Sequence, residues 1–167
     1  MRFNVKTISC ALVLITGIAA LALSLTKGMM AVSASNAQNG QLHATKDCSG
    51  YQGLAGQFCT IKSSNLGEIN GGSTVFYDQN AGIPVGLLDS NVVLDAGYGN
   101  RALGRCTVDF ATGLGLCTFS DGTGQFAGFQ ARVDVSPPTC VPGNCTPPND
   151  PYWHWDGTYS FNPLPHR

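Results

Sequence analysis

The chain reads as all-β, a single antiparallel β-barrel of about eight strands preceded by a signal peptide. Three observations predict that class. Beyond residue 37, apolar and polar residues alternate with a period of two in one segment after another. Apolar residues at i, i+3, i+4 and i+7 never persist there through a window of about eleven residues, so no amphipathic helix is expected. Glycine, 21 residues in all, falls between the alternating segments at the spacing of short turns.

The leader comes first. Arg2 and Lys6 precede an apolar run from Ile8 to Leu25, and small residues cluster at Val32-Ser33-Ala34 and Ser35-Asn36-Ala37. This is the layout of a signal peptide over residues 1–37, cleaved after Ala34 or Ala37. The apolar run is long for that role, and an uncleaved membrane anchor is the alternative. Cleavage leaves 133 or 130 residues, enough for one domain with a sizeable core. Arg2, Lys6 and Lys27 leave with the leader, so six of nine basic residues remain against ten acidic ones, a net charge of −4. Lys46, Lys62, Arg101, Arg105, Arg132 and Arg167 are scattered rather than gathered into a stripe, which argues against nucleic acid as a partner.

Of seven cysteines, Cys10 lies in the leader. The other six, Cys48, Cys59, Cys106, Cys117, Cys140 and Cys145, form an even set in an exported chain and are expected to be oxidised, with fifteen possible connectivities. Neighbours along the sequence give three local pairs, of which Cys106 and Cys117 flank a hairpin pattern and Cys140 and Cys145 bracket Val-Pro-Gly-Asn. None forms a C-x-x-C, so no zinc site is expected. The expected location is secreted or periplasmic, with no stable membrane insertion once the leader is removed.

The strands follow in order. An N-terminal segment, 38–72, carries the first, with Gln57–Lys62 (QFCTIK) its clearest piece. Ser73–Asp78 (STVFYD) is entered through Gly71-Gly72 and left through Asn80-Ala81-Gly82, and Val85–Ala96 comes next. The cysteine hairpin CTVDF-ATGLG-LCTF then leads into FSDGTGQFAGFQARVDV, residues 119–135. Its glycines resemble a phosphate-binding loop, but the spacing is G-x-G-x-x-x-G and no helix pattern follows. Phe129, Ala131, Val133 and Val135 instead alternate with Gln130, Arg132 and Asp134, while Asp121-Gly122 is a hairpin turn signal. The run turns one strand into the next. Ser136–Pro151 holds six prolines, which forbid a central strand, and reads as a long exposed loop. Trp153–Phe161 (WHWDGTYSF) sets Trp153, Trp155, Tyr159 and Phe161 against His154, Asp156, Thr158 and Ser160, ahead of a tail at 162–167. Strands near ten residues long with one apolar face favour a closed sheet, since about eight strands just fill the interior or hold one small ligand.

FSDGTGQFAGFQARVDV followed by a loop and YWHWDGTYSF resembles the closing strands of the allene oxide cyclase barrel-like family, in its bacterial exported members, and the related plant dirigent proteins. Gly122, Thr123, Gly124, Phe126, Gly128, Phe129, Gly157, Tyr159 and Phe161 carry the likeness, which covers Ser73 to Phe161. The resemblance implies an antiparallel barrel over 73–161 with an apolar lumen open at one end. In the cyclases that lumen guides ring closure of a fatty-acid epoxide; in dirigent proteins it steers coupling of phenoxy radicals. The glutamate and asparagines of the cyclase pocket have no matching positions, and the one glutamate, Glu68, lies in a Gly-Glu-Ile-Asn-Gly-Gly turn.

The chemistry-bearing residues are few. His154 and Asp156 share one face of the last strand, as an acid–base pair, two metal ligands, or simply its solvated side. Neither His43, in an N-terminal stretch expected to be flexible, nor His166, in the tail, is an obvious third ligand, and no metal is expected. Asp109 with Arg105 is a weak catalytic candidate if turned inward, and a cross-strand ion pair if turned outward. Phe129, Val133, Trp153, Trp155 and Tyr159 are the expected lumen walls. The functional expectation is a small apolar or aromatic ligand held in the lumen. A cofactor-free cyclase or isomerase, a dirigent-like coupling protein, and a structural module of the cell envelope are the alternatives.

Overall fold

The computed structural model of the chain describes residues 38–162. The expected leader, 1–37, and the tail beyond Asn162 lie outside the described residues. Within them the chain forms eight strands: β1 (Gln38–Asp47), β2 (Phe58–Ser64), β3 (Thr74–Tyr77), β4 (Leu87–Asp95), β5 (Arg101–Asp109), β6 (Leu114–Thr123), β7 (Phe129–Ser136) and β8 (Trp153–Phe161). Each pairs antiparallel with the next, and β1 pairs with β8, so the sheet closes into a barrel without edges.

Alternation decides which side chains fill the inside. β7 buries Phe129, Ala131, Val133 and Val135 and exposes Gln130, Arg132 and Asp134. β1 turns Leu42, Ala44 and Lys46 inward, and β4 turns Leu88, Ser90, Val92 and Leu94 inward. The polar exception on β4 is satisfied, because the Ser90 hydroxyl accepts from the Asp78 amide at 2.9 Å and the Gln79 amide at 3.1 Å.

The up-and-down order gives the barrel two unlike ends. Connections 65–73, 96–100 and 124–128 lie at one end, where the lumen is packed shut. Leu66 and Ile69 fold in from the first of these, and Phe126 enters from a single 3₁₀ turn, Gly124–Phe126. Phe126 meets Phe129 at 5.3 Å between ring centroids, Phe129 meets Phe161 at 5.1 Å, and Phe119 bridges to Trp155 at 5.5 Å. These tilted and edge-on pairs form a continuous aromatic plug.

Two expectations are corrected here. Asp121-Gly122 is not the hairpin turn, because β6 runs on through both residues, which pair with Leu103 and Ala102 of β5. The chain reverses over 124–128 instead. Gly128 adopts φ +77°, and a Cβ there would run into the Asn162 carbonyl oxygen, whose own amide donates to the Gly128 carbonyl at 2.9 Å. His43 belongs to β1, where nine residues pair with β8. The three expected neighbour disulfides are present, Cys48–Cys59, Cys106–Cys117 and Cys140–Cys145. Cys106 and Cys117 are directly opposed on β5 and β6. Their bridge points inward.

Because Phe129 is wholly buried at the centre of the plug, Phe129→Ala should destabilise the fold by about 3–5 kcal/mol. A urea midpoint shifted by less than a third of that would show that the plug is not the core of the closed end.

Candidate functional site: a buried lysine at the open end of the barrel

The other end gathers connections 48–57, 78–86, 110–113 and 137–152, and there the lumen is hollow. A half-open cavity of about 220 Å³ is lined by residues from seven of the eight strands and their loops. Leu88, Val108 and Val135 form apolar wall, with Trp153 and Phe110 set edge-on at 6.1 Å and 84°. Ile83 reaches the rim from the β3–β4 connection. It packs over Gly53, where a Cβ would lie 2.9 Å from its Cδ1.

Three ionisable side chains face this cavity: Lys46, Tyr51 and Tyr77, the lining cysteines Cys48 and Cys59 being joined to each other. Lys46 is the inward residue that follows Leu42 and Ala44 on β1, only 3% exposed. The β1–β2 register shifts between Thr45 and Lys46, an irregularity that re-aims the side chain at the end of the strand. Its Nζ donates to the Tyr77 hydroxyl at 2.8 Å and lies 4.7 Å from the centre of the Trp155 ring. No carboxylate pairs with it among the described residues. The aromatic face offsets part of the cost of burying an ammonium, but not all of it. Burial lowers the Lys46 pKa to about 7.

The phenols shift the other way. Burial, and then the neighbouring Tyr51, raises the Tyr77 pKa, and burial raises that of Tyr51. Both remain protonated donors at neutral pH. The two rings pack tilted by 44° at 4.9 Å between centroids, and the buried Tyr51 hydroxyl has no hydrogen-bond partner among the described residues. The β1–β2 loop holds Tyr51 in place. Cys48–Cys59 ties it to β2, the Gln57 side chain accepts from the Gln52 and Leu54 amides, and Gly56 donates to the Tyr77 carbonyl at 2.7 Å. A buried phenol without a partner, beside a cavity and a buried amine, is a donor left for a ligand oxygen.

Of the expected lumen walls, Trp153 lines the cavity and Trp155 lies beneath the Lys46 amine. Phe129 and Val133 are fully buried but do not line the cavity, and Tyr159 sits half-buried toward the closed end, packed on Gly40. Arg105 points outward to Asp89 at 2.6 Å, while Asp109 caps the β5–β6 turn by accepting the Ala111 amide. That placement takes both out of the lumen. Odd-numbered β5 positions face solvent, so the charges of this strand never meet inside. His154 and Asp156 also face outward. His43 Nδ1 pairs with Asp156 at 2.7 Å across β1 and β8, and His154 Nε2 lies 3.3 Å from Asp150. Among the described residues no three His, Cys, Asp or Glu side chains are gathered as metal ligands.

Lys46 and Tyr77 are the residues that motif reading passed over. The signal was present in LHATKD and STVFYD, where each continues the inward alternation of its strand. Tyr51 carries no such signal, because a loop and a disulfide place it. No protein-family model, curated protein or solved structure matches the chain.

Unfolded Lys46 keeps its proton to near its ordinary 10.5, whereas the folded side chain releases it at about 7. Between those values the unfolded state binds more protons, so this group adds stability as pH rises through the window. Above it, the raised Tyr77 pKa acts in the opposite sense. Urea midpoints should therefore climb between pH ~7 and ~9.5 for wild type more than for Lys46→Met, which has no proton to lose. Parallel pH profiles would mean that the amine is not desolvated.

Proposed function

We propose that the barrel is a binding protein for a small apolar or aromatic molecule bearing one polar oxygen, held in the open half of the lumen with that oxygen at Lys46, Tyr77 and Tyr51. One observation carries the reading: a buried lysine without a carboxylate partner among the described residues faces a mostly apolar cavity that it shares with two tyrosines. Burying an unpaired amine weakens the fold, and a ligand oxygen supplies the missing partner. Size narrows the ligand. An apolar cavity of ~150 Å³ accommodates benzene, so about 220 Å³ suits one substituted ring or a short alkyl chain. Two phenolic units exceed it.

The likeness to the allene oxide cyclase and dirigent barrels supports the same reading, since lumen binding is what that resemblance implies. The cyclase glutamate has no counterpart around this cavity. A cofactor-free isomerase is the second reading, favoured by an amine titrating near neutrality between two phenols. The three disulfides support an exported location, and among the described residues no helix is long and apolar enough to cross a membrane.

Titration with benzyl alcohol and 1-octanol, followed by amide NMR shifts, tests the binding reading. Saturable shifts should centre on Tyr51, Tyr77, Leu88 and Trp153. Leu88→Phe, which fills the cavity, should weaken binding by about tenfold or more, ~1.4 kcal/mol. Shifts that never saturate, or that are unchanged in the filled variant, would end it.

A further inference from the structure

We infer that Lys46 is a carbonyl-capturing amine: an aldehyde or ketone of one ring or a short chain enters the cavity and condenses with Nζ to a reversible imine. The inference rests on the cavity-binding reading above and gives the ligand its chemical class. Four features of the site carry it.

First, the amine is a cavity wall rather than a core strut, because Lys46 lines the hollow end beside Trp153 and Leu88. Second, nothing in the described protein holds the ammonium in its charged form through an ion pair. Every other group facing the cavity is apolar, a disulfide or a phenol, and burial brings the amine to about 7, so a large share is neutral and nucleophilic at physiological pH. Third, a hydroxyl that can donate and accept protons already touches the nitrogen, Tyr77 at 2.8 Å. Fourth, the second hydroxyl, Tyr51, is buried without a partner at the same cavity, where a carbonyl oxygen would find it. A site built for a carboxylate would present a permanent cation or several N–H groups. This one presents a single deprotonatable amine and two phenols.

The step balances without an added reagent. The Nζ lone pair attacks the carbonyl carbon, the new C–N bond displaces the C=O π pair onto oxygen, and a tyrosine hydroxyl protonates that oxygen. Nitrogen returns a proton to the phenolate. A tyrosine hydroxyl then gives a second proton to the carbinolamine oxygen, which leaves as water while the nitrogen lone pair forms C=N, and the remaining N–H proton returns to that phenolate, so that amine and carbonyl become imine and water. Nothing is oxidised or reduced. Tyr77 is placed to pass the proton at nitrogen, and Tyr51 to steady the oxygen.

The test traps the imine in the full chain. Purified protein is incubated with benzaldehyde and cyanoborohydride at neutral pH, and the benzylated lysines are mapped by peptide mass. Lys62, the other lysine of the described residues, is exposed and serves as the internal control. Benzylation at Lys46 should exceed that at Lys62 by about tenfold or more, because an ordinary lysine is almost wholly protonated near pH 7. Tyr77→Phe should slow labelling at Lys46 severalfold even at saturating benzaldehyde, where a loss of affinity no longer counts, while labelling at Lys62 is unchanged, a split that a merely structural tyrosine would not produce. If Lys62 is labelled as heavily as Lys46 while benzyl alcohol still binds, carbonyl capture is overturned and the binding reading stands. If Lys46 is unlabelled and benzyl alcohol does not bind, both fall.

Discussion

The register between β1 and β8 is the constraint on which both ends of the molecule depend. Nine consecutive pairs, from Gln38 with Phe161 to Lys46 with Trp153, close the sheet. Because side chains alternate across a strand, a slip of one residue would exchange the two faces of β1. His43 and Thr45 would then enter the lumen, and Lys46 would leave it. The observed register is the one that buries Leu42 and Ala44 against β8 and satisfies the outer face, where His43 meets Asp156 and Thr45 meets the Ser63 hydroxyl at 2.7 Å. Lys46 is thus carried inward by its apolar neighbours on the strand. Two buried residues and a row of backbone hydrogen bonds impose the position of a third that would choose water if free.

The disulfides divide between the two tasks of the structure. Cys106–Cys117 sits inside the wall and clamps the β5–β6 hairpin over a short sequence separation of 11, a loop closure worth about 3 kcal/mol in the chain-entropy picture. Cys48–Cys59 has the same separation but a different consequence, since it anchors the loop that brings Tyr51 onto Tyr77. Without it, the loop would depend on Gln57 and a few backbone hydrogen bonds. Cys140–Cys145 pins the proline-rich β7–β8 connection at the open end and lines neither the plug nor the cavity.

Legibility in the sequence followed the range of the interactions involved. β7 and β8 were plain, because each alternates apolar with polar residues in a pattern complete within the strand: β7 buries four residues, and β8 buries Trp155 and Phe161 with Trp153 and Tyr159 half-buried on the same face. The hairpin disulfide was plain because its cysteines are local. The turn after β6 was misplaced by two residues, since Asp121-Gly122 has the composition of a turn but is held extended by pairing with β5. That competition is tertiary. β1 was missed, because Gly40 and Lys46 interrupt its apolar face, and a lysine on a strand is ordinarily read as solvent-facing. The site was harder still. Lys46, Tyr51 and Tyr77 come from a strand, a loop and another strand, and no window of sequence contains all three. Conversely, aromatic richness drew attention to Phe129 and Tyr159, which belong to the plugged end. Composition marks aromatic residues without telling a packed ring from a cavity wall.

The asymmetry between the ends connects stability with function. The plug concentrates Phe119, Phe126, Phe129 and Phe161 with Leu66 and Ile69, apolar area that carries no polar atom to satisfy. The open end does the opposite, leaving volume empty and burying an amine and an unpartnered phenol. Each of those features lowers stability, and each is the kind of local violation that a fold tolerates where a site is held ready. A barrel selected for stability alone would replace Lys46 with an aliphatic side chain and fill the cavity from Leu88 or Val108. The closed end supplies the surplus that lets the open end stay hollow. The eight-stranded wall transmits that support along every strand, from the plug to the rim. The same alternation that makes the barrel foldable therefore also fixes, at one inward position near the end of β1, the one amine among the described residues that is placed to meet what enters.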